Sequence, residues 1–144
     1  AGPIEEGNSY VKALQNQSSK CERTILWTGM LDVNEKWEML RLSDALILPS
    51  HQENFGLVVA ESLAVGKPVY ITNKVNLWRE VEQSNAGLVR NDDQEGINQL
   101  VDHWLIESNV EIRKCAESCF LQNFHIEEAA KNLINLAKNI SLSG

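Results

Sequence analysis

Apolar positions along the chain fall in short, unalternated runs separated by amphipathic stretches, and that rhythm sets the expected fold. "RTILWTG" (Arg23–Gly29) reads as a buried strand ending in glycine, and "DALILPS" (Asp44–Ser50) as a second stopped by Pro49. "KPVYIT" (Lys67–Thr72) and "AGLVR" (Ala86–Arg90) read as a third and a fourth. Between them lie a helix from about Ser9, a helical stretch "VNEKWEMLRLS" with Trp37, Met39 and Leu40 on one stripe, a very apolar helix over Gly56–Val65 capped by Gly66, and a short helix "NLWREVEQS". After Asn91-Asp92 three helices follow, over about Asp93–Glu107, Asn109–Gln122 and Ile126–Ile140. Ile97, Leu100, Val101 and Trp104 form one apolar stripe, and Ala129, Leu133, Leu136 and Ile140 another; both predict core contacts.

Strands that are short, apolar and not alternating are buried on both faces. Alternated with helices, they predict an α/β fold: a Rossmann-like parallel sheet sandwiched by helices, in one domain spanning 1–144. In such sheets ligands bind at the C-terminal ends of the strands, where loops lead into helix N-termini. The stretch "PSHQENFGLVVAESLAVGKPV" (Pro49–Val69) contains one such loop.

Composition narrows the function. The chain has 144 residues, 43% hydrophobic and 23% charged, with a net charge of -7 and its basic residues scattered. That balance argues against a nucleic-acid partner, which calls for a basic face. No apolar run reaches the ~20 residues of a transmembrane segment. Cys21, Cys115 and Cys119 match no zinc spacing and read as free thiols.

The chemistry concentrates at Glu53–Glu61. Gly56 lets a ligand approach the backbone, Asn54 is placed to cap the helix, and the helix start offers unpaired N–H groups to an anion. Glu61 stands among Leu57, Val58, Val59, Ala60, Leu63 and Ala64, where an unpaired carboxylate costs several kcal/mol. It must emerge at an edge, find a partner or lie beside a ligand. It sits roughly 7 Å along the helix axis, and helical side chains lean toward the N-terminus. Glu53 and Glu61 could then flank an anion site as acceptors for sugar hydroxyls; the alternative is an ordinary strand-to-helix turn. His51, beside Glu53, reads as a solvent-facing residue of the loop, and Trp27, Trp37, Trp78 and Trp104 as packing residues.

These residues resemble the donor-binding segment of the group 1 family of retaining glycosyltransferases, enzymes of the two-Rossmann-domain GT-B type with an E-x7-E motif. Pro49-Ser50, Glu53, Phe55-Gly56, Glu61, Leu63-Ala64, Gly66 and Pro68-Val69 all fit its pattern, and the similarity extends from Ala1 to Leu105. The "VNLWRE" stretch departs from it, with Asn76 in place of a glycine. The resemblance implies the C-terminal, nucleotide-sugar-binding half of a longer enzyme, truncated at its N-terminus. Hexose would pass from a nucleoside-diphosphate sugar to a glycan or lipid-linked acceptor, with the acceptor contacts on the missing N-terminal domain. It also implies polysaccharide biosynthesis, no cofactor, no bound metal, and a location in the cytoplasm or at the inner face of the membrane. Residue by residue, it makes Glu53 catalytic. It gives the donor sugar and diphosphate to Glu53, Asn54, Phe55, Gly56 and Leu57, and the ribose to Glu61. Gly29, Met30 and Leu31 lie near the base. The family's two basic diphosphate ligands precede the "AGP" stretch and have no counterpart here; neither Lys67 nor Lys74 matches them. A non-catalytic Rossmann-like module, for interaction or regulation, is the competing reading.

Overall fold

The computed structural model describes residues 8–106, 110–128 and 130–131. The chain forms two compact units, Ala1–Met39 and Leu40–Gly144.

The first unit carries α1 (Ser9–Ser18). Asn8 caps it, its side-chain oxygen accepting from the N–H groups of Tyr10 at 3.0 Å and Val11 at 3.4 Å. The next helix, α2 (Val33–Leu42), starts with a reciprocal capping box. The Glu35 N–H donates to Asp32 at 2.9 Å, and the Asp32 N–H donates to the Glu35 carboxylate at 2.8 Å. On the expected stripe Leu40 is buried, Trp37 half-buried and Met39 exposed.

The expected strand at Arg23–Gly29 does not form. Thr24–Gly29 has no regular structure and pairs with no strand among the described residues. Ile25, Leu26 and Trp27 are exposed. Apolar composition suits a strand, but only a neighbour can satisfy its backbone N–H and C=O groups. Among the described residues three strands therefore stand where four were expected.

The second unit holds those strands: β1 (Leu46–Leu48), β2 (Val69–Thr72) and β3 (Gly87–Arg90), all parallel in the order β1-β2-β3. Val69 sits opposite Leu46 on one side and Gly87 on the other; Ile71 sits opposite Leu48 and Val89. The crossovers carry α3 (Leu57–Ala64) and α4 (Trp78–Gln83), and α5 (Gln94–Ile106) and α6 (Val110–Asn123) follow. Helical backbone resumes at 126–128 and 130–131; residue 129 and positions 132–140 of the expected Ile126–Ile140 helix, with its whole stripe (Ala129, Leu133, Leu136 and Ile140), lie outside the described residues.

Strand β2 explains the layering. Its side chains alternate between faces. Val69 and Ile71 join a core with Val59 and Leu63 of α3, Val81 of α4, and Ala116 and Cys119 of α6. Tyr70 turns to the other face, where its ring meets His103 of α5 at 5.8 Å. Helices thus cover both faces of a parallel sheet, as the unalternated apolar runs require. On α5, Leu100 is fully buried, whereas Trp104, read from the sequence as a packing residue, is exposed at the edge. Cys119 is buried, Cys115 half-buried and Cys21 exposed; all three are free. Burial raises the Cys119 thiol pKa.

Helix α3 ends in a two-bond turn: the Gly66 N–H donates to Leu63 at 3.0 Å and the Lys67 N–H to Ser62 at 3.0 Å. This reverses the chain and delivers Pro68-Val69 into β2. The opposite end of the same sheet, where the strands exit, carries the candidate site.

Candidate functional site

Three loops leave the C-terminal ends of β1, β2 and β3, and side chains tie them together. The Glu53 N–H donates to the Lys74 carbonyl at 3.2 Å, and Glu53 and Val75 form an isolated parallel bridge. The Thr72 hydroxyl donates to the Ser50 carbonyl, and the Asn76 amide donates to the Asn54 carbonyl. The β2 and β3 exits are joined by the Asn73 N–H on the Arg90 carbonyl at 2.9 Å and the Asn73 amide on Asn91 Oδ1 at 2.9 Å. Asp92 closes the set, with His51 Nδ1 at 3.3 Å and Lys74 Nζ at 3.8 Å. The hydrogen bond from His51 holds the Asp92 carboxyl below the usual carboxylate range; the Lys74 charge adds to the shift.

Gly56 is the hinge between the first loop and α3. Its φ of 73° lies in the left-handed region, and a Cβ there would stand 2.9 Å from Val75 Cγ1. A side chain would therefore be strained by the backbone and would also push the β2 exit loop away. The Gly56 carbonyl accepts from Val59 at 2.8 Å and Ala60 at 3.4 Å, which starts the helix. The N–H groups of Leu57 and Val58 in the first turn have no intrahelical acceptor, as at every helix start.

The expected Asn54 cap is absent. Gly56 occupies the cap position with no side-chain hydrogen bond, and Asn54 instead offers its backbone carbonyl to Asn76. The cap was misplaced because Gly56, two residues on, already supplies the non-helical turn. The N-terminus of α3 is thereby left without a side-chain cap, and its first N–H groups remain available to a ligand.

The predicted site residues fall as follows. Glu53 is half-buried in the loop; Asn54, Phe55 and Leu57 are exposed around the buried Gly56. Glu61, fifth in α3, is half-buried between the buried Ala60 and Ser62, so it emerges at an edge of the helix. These six residues share one loop and one helix. Gly29, Met30 and Leu31 belong to the first unit, where Gly29 has φ 69° and Met30 is exposed. His51 is exposed, as expected, but it reaches Asp92.

The residues that bind the loops to each other are Thr72, Asn73, Lys74, Asn76, Asn91 and Asp92; sequence reasoning noted Lys74 and Asn76 only as departures from a family pattern and gave none of the six this role. A usable signal existed, because Asn and Asp cluster after the second and third strands, where side chains satisfy loop backbone. Among the described residues no group of three or more His, Cys, Asp or Glu could hold a metal ion, and no helix is long and apolar enough to cross a membrane.

Comparison with known proteins bears on the family and the fold. The chain is 35% identical over 74 residues to the glycogen synthase of Mycobacterium tuberculosis, a stretch covering 51% of this chain and 18% of that protein. It is 39% identical over 49 residues to the D-inositol 3-phosphate glycosyltransferase of Paenarthrobacter aurescens, covering 34% of this chain and 12% of that one. The matched stretches thus span less than a fifth of the length of these curated relatives. In structure it is similar to the sucrose-phosphate synthase of Thermosynechococcus elongatus, with a TM-score of 0.75 and 17% identity over 100% of this chain and 38% of that one; at that identity the likeness speaks for the fold. The sequence pattern of the family described as glycosyl transferases group 1 matches residues 1–118, most of the chain, and the chain therefore belongs to the glycosyl transferases group 1 family.

Proposed function

We propose that this chain is the donor-binding part of a retaining glycosyltransferase, which moves a hexose from a nucleoside-diphosphate sugar to a glycan or lipid-linked acceptor. The observation that carries the reading is the Glu53–Gly56 loop, fastened to the β2 exit at the uncapped N-terminus of α3. There the N–H groups of Gly56 and Leu57 face the diphosphate and lower the energy of the charge that grows on it as the sugar leaves. The Glu53 carboxylate accepts hydroxyls of the hexose and holds its anomeric carbon toward the acceptor. Asn54 and Phe55 border the same sugar. Glu61, half-buried at an edge of α3, accepts the ribose hydroxyls. No metal takes part in this scheme. The missing basic ligands for the diphosphate and the acceptor surface belong to other parts of a longer protein.

The test is a titration of UDP, GDP and ADP into the 15N-labelled chain. We expect one of them to bind weakly, at millimolar strength, and to move the amide signals of Gly56 and Leu57. A carboxylate holding two ribose hydroxyls contributes hydrogen bonds to a charged group, on the order of 1.5–3 kcal/mol each. Glu61→Gln is therefore expected to weaken that nucleotide about tenfold or more. Spectra unmoved by all three nucleotides would remove the donor assignment, and unchanged affinity in Glu61→Gln would remove the ribose role.

A further inference from the structure

We propose that Asn76 is a positioning residue for the donor, one that aims the Phe55 N–H at the ligand. The inference rests on the donor reading given above and adds a residue to it. Its starting point is the hydrogen bond from the Asn76 side-chain amide to the Asn54 carbonyl, which joins the β2 exit loop to the loop before α3.

The Asn54 carbonyl and the Phe55 N–H belong to one peptide unit. That unit is planar, and no cis peptide bond occurs in the described chain, so the two groups point in opposite directions. Holding the carbonyl toward Asn76 therefore sends the Phe55 N–H to the opposite side of the loop, away from the β2 exit. Among the described residues this N–H meets no acceptor. The Gln52–Glu53 peptide, two units earlier, is fixed as well, because the Glu53 N–H donates to the Lys74 carbonyl at 3.2 Å. Two successive contacts with the same loop thus set the direction of the backbone between Glu53 and Gly56. Val75, between the two contact residues, packs where a Gly56 Cβ would go. The backbone beyond Phe55 is held by that close approach.

The arrangement gives Asn76 a role that glycine cannot fill. Glycine has no side-chain donor, so the Asn54–Phe55 peptide would be free to rotate. With Asn76 present, the Phe55 N–H is oriented before any ligand arrives, and a ligand acceptor there meets a donor whose ordering cost is already met. The acceptor is an oxygen of the donor's sugar or diphosphate.

Asn76→Leu tests this, since leucine resembles asparagine in shape and adds no charge. Affinity for whichever of UDP, GDP and ADP binds the wild-type chain is expected to fall roughly three- to tenfold, the range of one hydrogen bond. The Phe55 amide signal should move in the ligand-free spectrum, while the melting temperature holds. Asn76→Gln, which keeps an amide donor, should recover part of the affinity and return the Phe55 signal toward its original position. Wild-type affinity in Asn76→Leu overturns the proposal and leaves the donor reading standing. So does an affinity loss that Asn76→Gln shares in full, together with a lowered melting temperature, because that pattern marks mere support of the fold. A wild-type chain that binds none of the three nucleotides brings down the donor reading and the positioning role together.

Discussion

Strand β2 and the Thr24–Gly29 segment carry similar side chains into opposite surroundings. In β2, Val69 and Ile71 are fully buried and Tyr70 nearly so, with a parallel strand on each side and helices on both faces. In the segment, Ile25, Leu26 and Trp27 are 48%, 76% and 40% exposed, and the backbone pairs with nothing among the described residues. Side-chain hydrophobicity therefore does not separate them; neighbours do. A parallel strand becomes a strand when a partner accepts its hydrogen bonds and a helix covers its side chains. Val69–Thr72 has both through crossovers that run directly out of it and into it.

The difference is broken or upheld first by truncation. Ile71→Ala removes three carbons from a site that packs against α3, α4 and α6, and it is expected to cost about 2–5 kcal/mol in denaturant unfolding. Leu26→Ala removes as much from the exposed segment and should stay within about 0.5 kcal/mol of wild type. Comparable costs at the two positions would mean that the segment is buried in solution, and the contrast would fail.

A narrower probe asks whether pairing on the β3 side is part of what sets β2 apart. Gly87 lies opposite Val69, and a Cβ on it would stand 1.8 Å from the Val69 carbonyl oxygen and 2.9 Å from the Val69 nitrogen. Those are backbone atoms in the central strand and cannot swing aside. Gly87→Ala should force β3 away from β2 at a cost of about 1–3 kcal/mol, typical of overpacking. It should also speed amide exchange along Val69–Thr72 more than anywhere in the first unit. Unchanged exchange in β2 would show that the strand holds its place without β3.

The same contrast explains how much was legible in the sequence. The strands β1, β2 and β3, the helices α1 to α6 of the described residues and the Gly66 turn were readable because each rests on local pattern: apolar runs, helical stripes and a terminating glycine. The Gly56 start of α3 was readable for the same reason. Arg23–Gly29 was misread because pairing is not local, and the run itself carries no mark of whether a partner exists. Asn54 was misread as a cap because its side-chain type suits that role. Its carbonyl was claimed instead by Asn76, 22 residues away in sequence. The placement of Glu61 at an edge of the apolar α3 helix was legible from the cost of burying a carboxylate there. The side chains joining the three exits carried the mark of loop residues, but which loops they join was not legible, since those contacts are created by parallel strands bringing their C-terminal ends side by side.

The mildest difference between the two regions concerns what holds their ends. The exit of β2 is tied to that of β3 partly through Asp92, which His51 and Lys74 approach, and this contact titrates. The folded Asp92 carboxyl has a pKa below its ordinary 3.8, chiefly because His51 hydrogen-bonds to it. The native state therefore favours the ionised form. Its contribution to stability is complete above pH about 4 and is lost as pH falls through the lower, folded value. Asp92→Asn keeps the shape and removes the titration. In denaturant melts the wild-type advantage over Asp92→Asn should be small and constant from neutral pH down to about pH 4, and should then vanish on further acidification. The group is at the surface, so added salt should shrink the same advantage. An advantage that persists into acid, or that salt leaves unchanged, would mean that the loops are held by shape and backbone bonds alone, with no part played by the Asp92 charge.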